Sequence, residues 1–171
     1  RLFFDFFFSF RKIVKYLESK NINPSNSTFI DLGCGSGDLL KQIAIWGRQN
    51  NITIKLIGID NNPNVISYLE HNCTDFKEIS GIVANVTECF NKTGKVDFVI
   101  SSLFLHHLSN DDVIQLFRDL KKYVTIASII SDLDRNIFAY IGSWLIPRIL
   151  NGSPLSKTDG PISVLNAFKK K

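Results

Sequence analysis

The chain has 171 residues, 44% of them hydrophobic and 21% charged, with a formal net charge of +4. These figures fit one globular domain with a real core, and no stretch approaches the ~18 uninterrupted apolar residues of a membrane-spanning helix. The three cysteines, Cys34, Cys73 and Cys89, are widely spaced and odd in number. They form neither a disulfide framework nor a zinc pattern, so a reducing, cytoplasmic setting and no bound metal are expected. Much of the positive charge sits in the lysines at 169–171 and reads as a solvated tail, which argues against nucleic acid as a partner.

The first eight residues are apolar, but they begin with Arg1, are interrupted by Asp5 and lack a small-residue cleavage site, so no signal peptide is read there. The sequence holds no methionine and opens without one, which leads to the expectation that it is a piece of a longer chain.

In chain order, residues 1–20 predict an aromatic-rich helix with six phenylalanines among the first ten positions. Turn chemistry at 21–27 separates it from the first strand. Strands are predicted at 28–32, 53–59, 81–84, 96–101 and 124–130, with helices of apolar spacing at 38–48, 63–72 and 111–122. Pro63 opens the second of these helices and acidic residues open the third, as helix N-termini favour. This alternation predicts an α/β fold with a doubly wound, mostly parallel sheet and helices on both faces. Beyond the fifth strand, 135–150 reads as a helix and 161–171 comes after a Gly/Pro/Ser loop; no further strands are found there.

The chemistry is concentrated in Phe29-Ile30-Asp31-Leu32-Gly33-Cys34-Gly35-Ser36-Gly37-Asp38-Leu39. A buried strand ends in an acid, and three glycines at spacing two lead into a helix. Glycines at such a turn let the backbone approach a ligand, and open α/β sheets bind ligands beyond the carboxyl ends of their strands. The spacing is G-x-G-x-G, not the G-x-G-x-x-G of dinucleotide sites. Asp31 would repel a pyrophosphate and suits a cationic ligand. Asp60 ends the second strand, 23 positions past Gly37, where an acid accepts hydrogen bonds from ribose hydroxyls. It supports an adenosine ligand without choosing between cofactors.

This stretch resembles the cofactor loop of class I methyltransferases that use S-adenosylmethionine, a ligand with a sulfonium, an amino group and no phosphate. The resemblance covers roughly residues 28–168 and implies a Rossmann-like fold. It implies that Asp31, Gly33, Cys34, Gly35 and Gly37 line the methionine end of the cofactor, that Asp60 with Asn61 holds the ribose, and that Asn85 with Val86 meets the adenine. The family commonly has an aspartate where Asn85 stands, and the asparagine oxygen can accept the same hydrogen bond. Ser101, near the end of the fourth strand, completes the implied cofactor set. The family fold has seven strands, so the last two are expected to be missing from this chain or supplied by a partner. The implied organisation is a single domain over 1–171: an aromatic cap helix at 1–23, the cofactor-binding core at 28–132 and substrate-side helices at 133–171.

The N/D/S-P-P-Y/F motif of DNA amine methyltransferases is absent, as is the double-glutamate hairpin of protein arginine methyltransferases. Phe104-Leu105-His106-His107-Leu108 instead resembles bacterial small-molecule methyltransferases, including those acting on quinone precursors and other lipophilic acceptors. Adjacent residues cannot both face one pocket on a regular element. His106, whose place is often acidic in related quinone-pathway enzymes, is the candidate catalytic base, since imidazole titrates near neutral pH. His107 is expected to pack and fix the loop, and His71 to lie on the surface. Asp132 either lines the acceptor rim or caps the next helix, and Asp159-Gly160-Pro161-x-Ser163-Val164-Leu165 adds to the resemblance. The expected function is methyl transfer to an oxygen or carbon of a small, lipophilic acceptor. The aromatic first helix packs on the sheet, roofs the acceptor or makes a peripheral membrane contact. Two alternatives stand beside this: a non-catalytic S-adenosylmethionine-binding scaffold, and a nicotinamide-dependent oxidoreductase. The oligomeric state is not readable.

Overall fold

The computed structural model describes residues 2–132 together with 162 and 164, and side chains from Ser9 onward. Its strands are β1 (Ser27–Leu32), β2 (Ile54–Asp60), β3 (Ile79–Val83), β4 (Val96–Ser102) and β5 (Val124–Ser131). They form one sheet in the order β3-β2-β1-β4-β5, with every pairing parallel. The helices are α1 (Leu2–Ser19), α2 (Asp38–Gln49), α3 (Pro63–Asn72), α4 (Cys89–Thr93) and α5 (Asn110–Tyr123).

Central strands of a parallel sheet are buried on both faces and so read as near-continuous apolar runs. β1 and β4 are such runs, and they meet in register, with Phe29 opposite Phe98. The two rings stack with centroids 4.3 Å apart and planes 13° from parallel. At the amino end of β4, Asp97 ties three strands together. The Thr28 amide donates to its Oδ2 at 2.9 Å, and Thr125 Oγ1 donates to its Oδ1 at 2.7 Å.

Right-handed crossovers decide where the helices lie. The connections through α2 and α3 step from β1 towards β3, whereas the one through α5 steps from β4 to β5 in the opposite direction. α2 and α3 therefore cover one face and α5 the other. α2 buries Leu39, Leu40, Ile43, Ala44 and Gly47 along one stripe. α1 joins the same face, placing Ile13 and Leu17 in a core cluster with Phe29, Leu40, Ile43 and Phe98. Ser9 and Ser102 share a buried hydroxyl hydrogen bond of 2.9 Å, and Lys12 Nζ donates to Ser131 Oγ at 2.9 Å. This half of α1 thus reaches the carboxyl ends of β4 and β5.

The chain divides into two compact units. One comprises Arg1–Ser102 with Asn110–Ser131 and holds the sheet; the other comprises Leu103–Ser109 with Asp132–Lys171. In the second, a 3-10 turn spans Leu105–His107, and Leu105, His106 and Val164 are buried.

The α/β architecture agrees with the sequence pattern, and the five described strands are all parallel. β3 begins at Ile79, two residues before the patterned segment, because its pairing with β2 starts at Leu56 opposite Ile79. The pattern does not announce α4, whose five residues are too few for helical periodicity. The helix expected at 135–150, the segment 161–171 as a whole and the last two strands of the family fold lie outside the described residues. Among the described residues, no helix is long and apolar enough to cross a membrane.

Gly58 shows how closely α3 and the loop after β1 press on β2. A Cβ there would lie 2.6 Å from Leu69 Cδ1 and 2.8 Å from Cys34 Sγ, both in the core. Gly58→Ala is expected to cost about 1–3 kcal/mol by overpacking. Urea unfolding should show a lower midpoint at unchanged m-value.

Candidate active site

The glycine spacing has a backbone cause. Gly33, Gly35 and Gly37 have φ of 70°, 51° and 78°, a region strained for residues with a Cβ. The chain reverses between β1 and α2 by placing alternate residues there. The Gly33 and Cys34 amides both donate to the Ile59 carbonyl, at 2.9 and 3.1 Å, and the Gly37 amide donates to the Cys34 carbonyl at 3.0 Å. The loop is thus hung on the end of β2 with those amides used internally, unlike the open nest of N–H groups that cradles a phosphate. A Cβ on Gly35 would meet nothing within 4 Å, so the backbone is approachable at that point.

Two residues that the sequence pattern does not single out brace this loop. Asn72 Nδ2 donates to the Ser36 carbonyl at 2.7 Å, and Lys41 Nζ donates to Asn72 Oδ1 at 3.1 Å. Asn72 ends α3, 36 positions from Ser36, and no local signal marks such a contact.

Asp31 lies on β1 between Gly58 of β2 and Ile100 of β4, neither of which offers a polar side chain. It is 3% exposed, and no hydrogen bond to its carboxyl is found among the described residues. Burial pushes the Asp31 carboxyl up to about 8, because the charged form loses its hydration. Near neutral pH, burial therefore favours the protonated form of Asp31. Among the described residues, a second buried group lacks a partner near the end of β4: Ser101 Oγ, in a residue 1% exposed. Such orphans in a native fold call for a ligand or another explanation.

The remaining candidates lie along the same edge. Asp60 ends β2, and its Oδ1 accepts from the Asn62 amide at 2.9 Å. The cap of α3 is Asn62, whose side chain accepts from the Asn64 amide, so Asp60 is not the capping residue. Asn61 is exposed. The Ala84 amide donates to the Asp60 carbonyl at 2.9 Å, which aligns the end of β3; exposed Asn85 and buried Val86 come next. Asp31 with the glycine loop, Asp60 with Asn61, Asn85 with Val86, and Ser101 thus stand at the carboxyl ends of four adjacent strands, the usual ligand edge of an open α/β sheet. The Cys34 thiol faces the core, and burial, then the Asp31 and Asp60 carboxylates, raise it well above the usual thiol range.

In the second unit, His106 is held at two points by one carboxylate. Its amide donates to Asp132 Oδ2 at 2.9 Å, and its ring Nδ1 lies 2.6 Å from Asp132 Oδ1. The two side chains are 3% and 8% exposed. The His107 ring packs tilted against that of His106, with centroids 4.1 Å apart, and is itself exposed. His71 is exposed on α3.

A family model described as a methyltransferase domain matches residues 29–125. The chain is 22% identical over 145 residues to the ribosomal protein L11 methyltransferase of Desulfotalea psychrophila, an alignment covering 81% of this chain and 46% of that protein. The chain thus spans about half the length of the curated relative it matches. Among solved structures, it is similar to a plantazolicin methyltransferase in complex with a triazolic desmethylPZN analogue and S-adenosylhomocysteine. The TM-score is 0.64 at 19% identity, covering 95% of this chain and 56% of the other. It is also similar to magnesium protoporphyrin IX methyltransferase from Synechocystis with bound S-adenosylhomocysteine, at TM-score 0.61 and 17% identity, covering 95% and 65%.

A carboxyl raised on folding binds its proton more tightly in the native than in the unfolded chain. For Asp31 this stabilises the fold at pH below the ordinary aspartate value of 3.8 and is lost as pH rises towards about 8. Asp31→Asn removes that dependence. Relative to the parent, the variant is expected to gain about 2–4 kcal/mol between pH 5 and pH 8.5, as read by urea unfolding at each pH.

Proposed function

This chain belongs to the methyltransferase-domain family, and on that premise we propose that it transfers the methyl group of S-adenosylmethionine to an oxygen or carbon of a small, lipophilic acceptor. The observation that carries the reading is Asp31, a buried carboxyl without a described partner beside a glycine loop in which the Gly33, Cys34 and Gly37 amides are bonded internally. An ammonium group would draw the proton from Asp31 and then meet its counter-charge, a gain that a pyrophosphate would not have.

The residues fit this cofactor. Asp31 and the backbone of Gly33, Gly35 and Gly37 would hold the methionine end, with Cys34 packing beneath; Asp60 and Asn61 would hold the ribose; Asn85 and Val86 the adenine; and Ser101 would supply a hydroxyl at the edge. When bound, S-adenosylmethionine supplies a methyl carbon on a positive sulfur, and the C–S electron pair returns to sulfur as the acceptor atom bonds that carbon. The main contribution of the chain is to hold both reactants in line away from water. His106 takes the proton from an acceptor hydroxyl.

The lipophilic acceptor rests on the resemblance of Phe104-Leu105-His106-His107-Leu108 to small-molecule methyltransferases; α1 turns Ser9, Ile13 and Leu17 inward and reaches Ser102 at the end of β4. This favours a helix that packs on and roofs the sheet over one that lies in a membrane surface. A cytoplasmic setting is supported by three free, buried cysteines.

Calorimetric titration with S-adenosylmethionine, S-adenosylhomocysteine and NAD tests the cofactor. Saturable binding of the first two is expected, weakened about tenfold or more by Asp31→Ala or Asp60→Ala. At pH 7 the cation should drive the proton from Asp31, so titrations in buffers of different ionisation heat should report close to one proton released. NAD binding with no S-adenosylmethionine signal would overturn the reading. Binding without proton release would remove Asp31 from the site.

A further inference from the structure

The geometry points to a role for Asp132 that rests on the methyl-transfer reading above: Asp132 is the positioning residue that makes His106 a proton acceptor through Nε2. His106 sits in the turn after β4, and Asp132 is the first residue after β5. The last residues of these two strands, Ser102 and Ser131, are register partners. A single carboxylate therefore spans 26 positions of chain to grip both the backbone and the ring of one histidine.

The grip decides where the ring carries its proton. An ionised carboxylate can only accept hydrogen bonds. Oδ2 is engaged by the His106 amide and Oδ1 lies 2.6 Å from Nδ1, so in the neutral imidazole Nδ1 must carry the hydrogen. The lone pair is then on Nε2, for which no hydrogen-bond partner is found among the described residues. A histidine serving only to tie two loops together needs no free nitrogen. A base needs its lone pair presented and its other nitrogen held by an acceptor that welcomes the positive charge formed on protonation. In the step itself, the proton of the acceptor hydroxyl would move to Nε2, the electron pair left on that oxygen would bond the methyl carbon, and the pair of the breaking C–S bond would stay on sulfur. The imidazolium so formed is paired with Asp132 in a site almost closed to water, where the attraction is strong.

Asparagine at 132 inverts this logic while keeping the shape. The His106 amide and Nδ1 face different oxygens of Asp132, and the amide, which can only donate, holds the single oxygen of the asparagine. With the oxygen kept by the backbone amide, the NH2 group faces Nδ1, and the ring proton is forced to Nε2.

The chain has three histidines, so long-range proton–nitrogen NMR on 15N-histidine protein, with His71→Gln and His107→Gln for assignment, resolves the tautomer of His106. The expected result is Nδ1–H in the parent at a pH where the ring is neutral, with Nε2 taking up a proton on acidification while the amide spectrum is unchanged. In Asp132→Asn the Nδ1–H form should be lost in favour of Nε2–H. A parent ring already protonated at Nε2, an Nε2 that does not titrate before the fold is lost, or an Asp132→Asn protein with an unaltered tautomer would each overturn the assignment. Calorimetry with S-adenosylmethionine on the same samples separates the two failures. Normal binding alongside any of those three results sinks the role of Asp132 alone, and absent binding in the parent sinks the methyl-transfer reading whatever the tautomer.

Discussion

The adjacency of β1 and β4 is the constraint on which the rest depends. The two strands run parallel at the centre of the sheet, locked by the Phe29–Phe98 stack, yet the connections on their two sides depart in opposite directions. Loops that leave a common edge in opposite directions cannot cover the gap between them. The glycine loop leaves towards β2 and is tied to it through Ile59, and the connection from β4 to β5 steps the other way. Everything gathered at the carboxyl edge is there because that edge stays open.

The same central position explains the chemistry of Asp31. A strand buried on both faces normally carries only apolar side chains, and an isolated ionised carboxylate there would be too costly to keep. The fold tolerates it as a neutral acid, since burial raises it to about 8. Neutral, it is a modest defect, far smaller than the ionised form would be. The glycines fit this account. Their positive φ values let the chain turn inside the space of a few residues, and the inward hydrogen bonds leave the approachable backbone near Gly35 beside the acid.

Much of this is legible in the sequence. β1 and β4 read as apolar runs, α2 and α5 show a clear 3.6-residue period, and Asp31, the three glycines and Asp60 announce themselves by position. β3 is blurred because Ile79 and Ser80 precede its Gly81 without a pattern of their own, and its extent is set by pairing with β2. The brace from Asn72 to Ser36 and the clamp of Asp132 on His106 join residues 36 and 26 positions apart. Periodicity tells which face a side chain occupies within its own element, not how near it comes to another element. For the same reason Asp132 reads from sequence as either a helix cap or a rim residue, and only its distances to His106 supply a third possibility. The ionisation of Asp31 is equally hidden, because it depends on Gly58 and Ile100, neighbours contributed by other strands.

The all-parallel pairing also has a kinetic side. No described strand pair is a hairpin, and the two rings at the centre of the sheet are 69 positions apart in the chain. Loop-closure entropy must be met before such contacts reward it, so a sheet of this kind forms slowly and has no local nucleus to fall back on. The carboxyl edge runs across those distant pairings, so it is complete only when the whole sheet is. A molecule bound across it would bias the chain against its longest-range openings, and abundance in a cell exposed to proteolysis would then follow ligand supply as well as intrinsic stability.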